Sequence, residues 1–512
     1  MKINQKKAGV LLSYLSMAIN SVILILYTPF MIRILGQSEY GLYNLVFSVV
    51  SYLGLFSFGL GSAYMRFYSR YHSQDDKQGI SNLNGMFITV FLFLSILVVL
   101  TGSILTGIVD QLFHQSLSIK EIDTARILMA LMTFNIAITF PASVFDSYIT
   151  AHECFLFQRI INFLRSLLNP FLAMPLLLLG FRSISLVVVT TVLTLLSLGI
   201  NAWYCFRKLE MKFTFFCFEW ELLKEILVFS SYLFLNQIID QINWATDKFI
   251  LGIYAGTKSV AVYAVAAQLN TYYLNFSTAI SSVFIPKVNN MVMNHCSNHE
   301  LTLLFTKIGR IQFMILSLIW SGVLFFGKPF ISFFAGAGYE KSYLVALLLI
   351  LPVTIPLIQN IGIEIQRAKN MHKFRSVVYL LIAICNIIIS IPLTQRYGES
   401  GAAFGTALSL LIGNGFIMNW YYHKYVGLDI AFFWRRILAI TPALIPPMII
   451  GILFYYNVNM YSLSKFVLCG IIYTVAFGLS MLFLGMNKDE KNLIYLPIKK
   501  LYCLKMKKEH RE

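Results

Sequence analysis

Charge is scarce in this 512-residue chain. Asp, Glu, Lys and Arg make up 12% of it, and only 23 residues are acidic. Beside 58% hydrophobic residues, so small a charged fraction excludes an ordinary water-soluble domain. Long polar connections are also missing: no stretch between apolar runs exceeds about 20 residues, which leaves no room for a soluble domain. Cysteines number seven and form no CxxC pair. Cys154, Cys205, Cys217, Cys296 and Cys503 fall in or beside predicted cytoplasmic segments, Cys385 and Cys469 within helices, so no disulfide is expected. There is no Gly-rich nucleotide loop, HExxH, nucleophile elbow or DxD-type pair. No catalytic residue is assigned, and the chain is not expected to be an enzyme. A membrane polymerase or acyltransferase would need a reactive external loop or an intramembrane His, and neither is visible. His295-Cys-Ser-Asn-His299 has i, i+4 metal-ligand spacing but sits in a short polar connection, which reads as a solvated loop with no metal.

What the chain does have is apolar runs of about 20 residues, each long enough to cross a bilayer core. About fourteen are expected, roughly at 9–31, 41–65, 83–108, 126–150, 160–181, 184–206, 226–252, 260–284, 304–327, 343–366, 374–394, 400–423, 437–456 and 463–485. The first follows Lys2, Lys6 and Lys7 and runs through Pro29 to Arg33 without a small-residue cleavage site, so it reads as an uncleaved helix. The net charge of +17 follows the membrane. With the N-terminus inside, about 30 of the 40 Lys and Arg fall on cytoplasmic loops and tails, the positive-inside bias of a chain with both termini cytoplasmic. The tail after Met486, with Lys499, Lys500, Lys505, Lys507 and Lys508, is expected along the anionic inner leaflet. Nucleic acid is not an expected partner.

A block in the middle repeats itself. Residues 151–208 match 368–425 without a gap at eleven positions. They include Ala151/Ala368, Phe157/Phe374, Asn169/Asn386, Pro175/Pro392, Trp203/Trp420 and Tyr204/Tyr421. Arg33-Ile-Leu-Gly36…Gly41-Leu-Tyr43 echoes Lys248-Phe-Ile-Leu-Gly252…Ala261-Val-Tyr263. A doubled membrane domain points to a transporter whose two lobes rock about a central site. The expected organisation is an N-terminal six-helix lobe at 1–208, a cytoplasmic linker at 209–223 and a second six-helix lobe at 224–425. Two unpaired helices at 426–485 and a basic tail at 486–512 follow. Six crossings per repeat leave both lobes in one orientation.

The seventh apolar run is the least lipid-like. Asn236, Asp240, Asn243 and Asp247 form one helical stripe, widened by Gln237 and Gln241. A carboxylate near the midplane, such as Asp240, costs about 2.5–3.5 kcal/mol to insert. It either lines a hydrated cavity or joins a structural pair, and Asp240 and Asp247 are the candidates for H+ or Na+ coupling. The repeat aligns Arg33 with Lys248 and Arg66 with Lys287, and such cations can hold a dianion between lobes. The alternatives are inner-leaflet anchoring for Arg66 and Lys287, and local pairing with Glu39 or Asp247 for Arg33 and Lys248. Arg165, with Asn162 and Asn169, Asn20 on the first helix, and Asn270 on the eighth complete the cavity candidates. Hydroxyl and amide stripes also serve as packing glue in membranes. Asn135, Thr139 and Asp146 share a face of the fourth helix, and Glu364 and Arg367 are spaced to pair.

Several phrases resemble a known family: TPFMIRILGQSEYGLYNL (28–45), LGLFSFGLGSAYMRFYSRY (53–71), the stretch from Gly338 to Leu380, GESGAAFGTALSLLIGNGFIMNWYY (398–422) and LGMNKDEKNLI (484–494). Together, in this order, they are similar to the polysaccharide transporter family, the Wzx-type flippases of the multidrug/oligosaccharidyl-lipid/polysaccharide exporter superfamily, and the resemblance covers nearly the whole chain. The resemblance implies an all-α polytopic membrane protein with a MATE-like fold of two six-helix lobes plus two C-terminal helices. It implies alternating access that moves an undecaprenyl-diphosphate-linked oligosaccharide repeat unit across the bacterial cytoplasmic membrane for O-antigen, capsule or exopolysaccharide. No cofactor is implied; the partners are that polyprenyl-diphosphate-linked glycan, membrane lipids and a polysaccharide polymerase or chain-length machinery. A MATE-type cation-coupled drug antiporter, usually with twelve helices, and a lipid II flippase are the alternatives.

Overall fold

Helix entry is encoded locally. Ser118-Ile-Lys-Glu121 and Ser297-Asn-His-Glu300 each close a reciprocal capping box, satisfying N–H groups that the first helical turn leaves orphaned. Ser297 belongs to the His295–His299 stretch, so that connection is a helix start. Asp76 and Asp429 cap two further helices, accepting from Gly79 N at 2.8 Å and Phe432 N at 2.9 Å.

The computed structural model describes residues 5–215 and 219–492, without the side chains of 5–18, 20–22, 24, 232, 233, 236 and 372. The side chains of Asn20 and Asn236, Cys217, Cys503 and the tail from 493 onward lie outside the described residues. Among the described residues all regular structure is helical, and the chain is an all-α polytopic membrane protein. Two compact units form. The first, Met1–Val265 with Ala383–Gly405, holds α1 (Gln5–Ser51), α2 (Leu60–Ser73), α3 (Lys77–Gly107), α4 (Val109–Phe113), α5 (Ile119–Ala151), α6 (Phe155–Leu178), α7 (Arg182–Arg207), α8 (Trp220–Tyr254) and the start of α9 (Gly256–Ser282). The second, Ala266–Ile382 with Thr406–Glu512, holds the rest of α9, then α10 (Ile285–Met293), α11 (Asn298–Phe334), α12 (Ser342–Ile358) and α13 (Asn360–Ala368). It also takes both ends of α14 (His372–Leu410), whose middle belongs to the first unit, then α15 (Met418–Tyr421), α16 (Ile430–Leu438), α17 (Ile445–Asn457) and α18 (Leu463–Ser480).

Among the described residues nine helices are long and apolar enough to cross a membrane, or ten if α12 and α13, bent by 42°, form one span. Two of the nine, at 49 and 54 residues, would be roughly 70–80 Å long, more than twice a hydrocarbon core. α1 and α14 are each broken by one glycine. Gly36 has φ 77° and ψ 168°, Gly398 φ 57° and ψ −133°, regions that a Cβ makes costly. Thirteen of the fourteen apolar runs centre on helix and the other, 41–65, spans the end of α1, the turn after it and the start of α2, so the expected count is compatible with the structure.

In the first unit α5 packs between α3 and α7, and α1 lies against α6 and α8. The echoed motifs are contact partners. A Cβ on Gly41 would stand 1.8 Å from the Thr257 carbonyl oxygen, and one on Gly252 would stand 2.2 Å from Leu45. Close approach of this kind is how helices associate where lipid removes the hydrophobic drive. In the second unit α11 is the spine, contacting α12, α16, α17 and α18. Arg310 is buried there and pairs bidentately with Glu490 at 2.6 and 3.0 Å. Outward faces carry exposed apolar side chains, such as Leu92, Phe93, Ile96 and Leu100 on α3 and Leu468, Ile471 and Val475 on α18. Such stripes suit acyl chains, since lipid rather than water solvates them.

Candidate functional site

In the first unit the end of α1, with the turn after it, and the middle of α8 enclose a cavity of about 300 Å³. Ser51, Gly54 and Leu55 form one wall; Gln237, Asp240, Gln241 and Trp244 form the other. The α8 residues fall at i, i+3, i+4 and i+7, one helical face. Gln241 donates to the Ser51 hydroxyl, tying the walls together. Asp240 is exposed, and Trp244 shows about half its surface. The site therefore combines a carboxylate, two amides, a hydroxyl and an indole face.

The sequence stripe divides here. At 100° per residue, the cavity face lies roughly 80° round α8 from the Asn236/Asp240/Asn243/Asp247 stripe, and only Asp240 is common to both. Asp247 is buried and accepts a hydrogen bond from the Tyr263 hydroxyl at 2.5 Å. Beside it, Thr246 shares a 2.6 Å hydrogen bond with Tyr52. No sequence signal singles out Trp244, because an aromatic side chain in a membrane helix usually means packing.

The basic candidates have separate surroundings. Lys248 Nζ reaches Asn44 Oδ1 at 3.5 Å. Arg33 is exposed on α1. Glu39, one expected partner for it, accepts from Ser183 N at 2.8 Å and pairs with Arg182 at 3.4 Å. Arg66 stacks its guanidinium 4.6 Å from the Phe229 ring centroid, and a turn later Arg70 pairs with Glu225 at 3.1 Å. In the second unit Lys287 is exposed on α10, while Asn270 is buried with Oδ1 lacking a hydrogen-bond partner among the described residues. Glu364 and Arg367 pair at 2.9 Å.

Arg165 joins a polar seam inside the first unit. Its Nη2 donates to Thr194 Oγ1 at 2.8 Å, and Asn135 donates to Thr191 and Thr194. Asn201 donates to Asp146 Oδ1 at 2.7 Å, and Asn169 to Thr190 at 3.0 Å. These bonds join α5, α6 and α7, the arrangement expected of polar glue in lipid. A second seam holds α1, α5 and α9 together, with Glu121 accepting from Ser38 at 2.5 Å and from Thr257 at 2.8 Å. Among the described residues no group of three or more His, Cys, Asp and Glu is placed to hold a metal.

A family model described as polysaccharide biosynthesis protein matches residues 7–292. Over 414 residues the chain is 20% identical to a Shigella flexneri protein named "Putative O-antigen transporter", covering 80% of this chain and 95% of that protein. Among solved structures, the lipid II flippase MurJ in an inward closed conformation superposes with a TM-score of 0.71 at 16% identity, covering 90% of this chain and 97% of MurJ. An inward-facing multidrug resistance MATE transporter of the MOP superfamily gives 0.64 at 14% identity, over 81% of this chain and 95% of that one. At these identities the shared feature is the fold.

Proposed function

The chain belongs to the polysaccharide biosynthesis protein family, and from that membership we propose that it is a flippase for polyprenyl-diphosphate-linked oligosaccharides. In this reading two lobes, 1–208 and 224–425, rock to move the sugar repeat unit from the cytoplasmic to the outer leaflet of a bacterial inner membrane. Both termini are cytoplasmic, and the exported unit passes to a polymerase with its chain-length machinery. The protein acts as a transporter and carries out no bond chemistry.

The observation that carries the reading is the cavity wall of Gln237, Asp240, Gln241 and Trp244. Sugars present hydroxyls that amides and carboxylates bind, and flat C–H faces that lie on indole rings. Arg33, Arg66, Lys248 and Lys287 are the proposed contacts for the diphosphate, whose charge basic side chains match. Asp240 and Asp247 are the proposed H+ or Na+ coupling groups.

One observation favours a second reading. An exposed carboxylate beside an indole also suits an organic cation, so a MATE-type cation-coupled antiporter remains the rival. A lipid II flippase is a rival in substrate only. Proteoliposomes distinguish them. The proposal expects faster inward-to-outward movement of a fluorescent polyprenyl-diphosphate-linked glycan than in protein-free vesicles. Exchange of an organic cation for protons, with no acceleration of the glycan lipid, would sink it.

A further inference from the structure

At one end of the second unit, α11, α16 and the turn after the last helix surround a second cavity of about 530 Å³. Its construction starts with Arg310. Besides its bidentate pair with Glu490, this buried guanidinium donates to Arg436 O at 2.6 Å and Gly485 O at 2.9 Å. One side chain thus joins all three walls, and its charge is spent inside the protein. Asn487 N also donates to Glu490 at 2.9 Å, which fixes the turn.

Two other cations line the same space. Lys307 lies one turn before Arg310 on α11, and Arg436 lies in the last turn of α16, its guanidinium 5.1 Å from the Phe432 ring. Both are exposed, and neither forms an ion pair among the described residues. Leu303, Phe432 and Met486 give the cavity an apolar side, and Asp489 adds one opposing carboxylate. The amphipathic helix α16 buries Ile430, Phe433 and Ile437, leaves Arg435 and Arg436 exposed, and keeps Phe432 half-buried between them. That pattern belongs at a membrane surface.

Position and chemistry agree. Lys307 stands near the start of an apolar run, with Arg310, Arg435, Arg436, Lys488 and Lys491 grouped at the same end. Basic residues gather at the cytoplasmic headgroup level, where the leaflet is anionic. We infer that this cavity holds the phosphate headgroup of an anionic phospholipid, with Lys307 and Arg436 as its ligands. Free phosphate would use the cations but not the apolar side; a diacyl lipid uses both. Lys488 and Lys491, on either side of Glu490 in the chain, make the same end more attractive to anionic lipid. None of its lining residues lines the α8 cavity.

Native mass spectrometry of the full chain in detergent tests the assignment, with phosphatidylglycerol, phosphatidylcholine and inorganic phosphate as probes. Lys307 and Arg436 are exposed, so Lys307→Gln with Arg436→Gln should fold, and size exclusion verifies it. Lys307→Arg with Arg436→Lys keeps the charge. The expected result is retention of phosphatidylglycerol by the parent and the charge-keeping variant, with about tenfold weaker retention by the Gln variant, a difference of about 1.4 kcal/mol. Equal phosphatidylglycerol retention by the Gln variant overturns the site, as does equal retention of phosphatidylcholine by the parent. Saturation by millimolar inorganic phosphate with no preference for the lipid overturns the choice of ligand.

Discussion

Phe157 stacks on Tyr204 with ring centroids 3.8 Å apart and 13° between planes. Exactly 217 residues along the chain is where Phe374 stacks on Tyr421, at 4.0 Å and 9°. The surroundings repeat too: the Tyr204 hydroxyl approaches Cys154 Sγ at 3.7 Å, and that of Tyr421 donates to Met371 O at 3.3 Å. Cys154 and Met371 are themselves 217 apart. A sequence match has become the same side-chain contact in each unit. An aromatic pair contributes about 0.5–1.5 kcal/mol beyond its area burial. Phe157→Leu and Phe374→Leu should therefore each destabilise by about 1 kcal/mol, read by thermal unfolding in detergent. A cost at one site and none at the other would mean that only one stack bears on stability.

Trp244 and Asp240 should separate binding from coupling. Trp244→Ala is expected to slow glycan-lipid movement about tenfold, roughly 1.4 kcal/mol, with Trp244→Phe keeping part of it because a ring remains. Asp240→Asn preserves shape and removes charge, so it should abolish any dependence on a proton or sodium gradient. Vesicle assays with and without the gradient check both, at equal protein content. A gradient response in Asp240→Asn equal to the parent's removes Asp240 from coupling.

Arg310 and Glu490 form a buried pair, with side chains 9% and 2% exposed. Removing one partner strands the other, at about 3–5 kcal/mol. Arg310→Met and Glu490→Gln should each lower the unfolding temperature sharply, while the double variant should recover much of the loss. Additive losses in that cycle would show that the pair itself contributes little.

Gly36 and Gly398 break α1 and α14 at positive φ. Alanine at either position should cost about 1–3 kcal/mol, whereas alanine at a helical glycine with open space around it, such as Gly199, should be neutral or better. Detergent melting of the three variants checks the order.

His152 follows α5 and packs between Tyr148 and Tyr68, with ring centroids 4.2 and 5.3 Å away. Burial holds its imidazole below the usual value of 6.5, with His72 nearby acting in the same direction. The folded state thus favours the neutral ring. Its contribution is complete above the unfolded value and is lost as pH falls from 6.5 toward the lower folded value. Unfolding temperature should drop over that window in the parent and drop less in His152→Gln. Parallel pH profiles would remove His152 as a source of acid sensitivity.

Much of the architecture was legible from one sequence because its causes are local or periodic. Apolar runs as long as the bilayer is thick give the crossings, and a repeat shows as identical letters at constant spacing. Glu364 and Arg367 were legible as a pair because three residues on a helix put side chains on one face. What the sequence could not supply was the rotation of α8. Its polar residues span more than half the helix circumference, so periodicity named Asp240 without saying which neighbours share its cavity. Packing against Ser51 and Leu55 chose Gln237, Gln241 and Trp244, and sent Asp247 to Tyr263. Likewise, nothing local links Arg310 to Glu490 across 180 residues. The sequence by itself determined that this chain lives in a membrane and that it is doubled. Only the tertiary structure decided which polar side chains face open space and which are consumed in holding helices together, because that depends on the neighbour each helix turns toward.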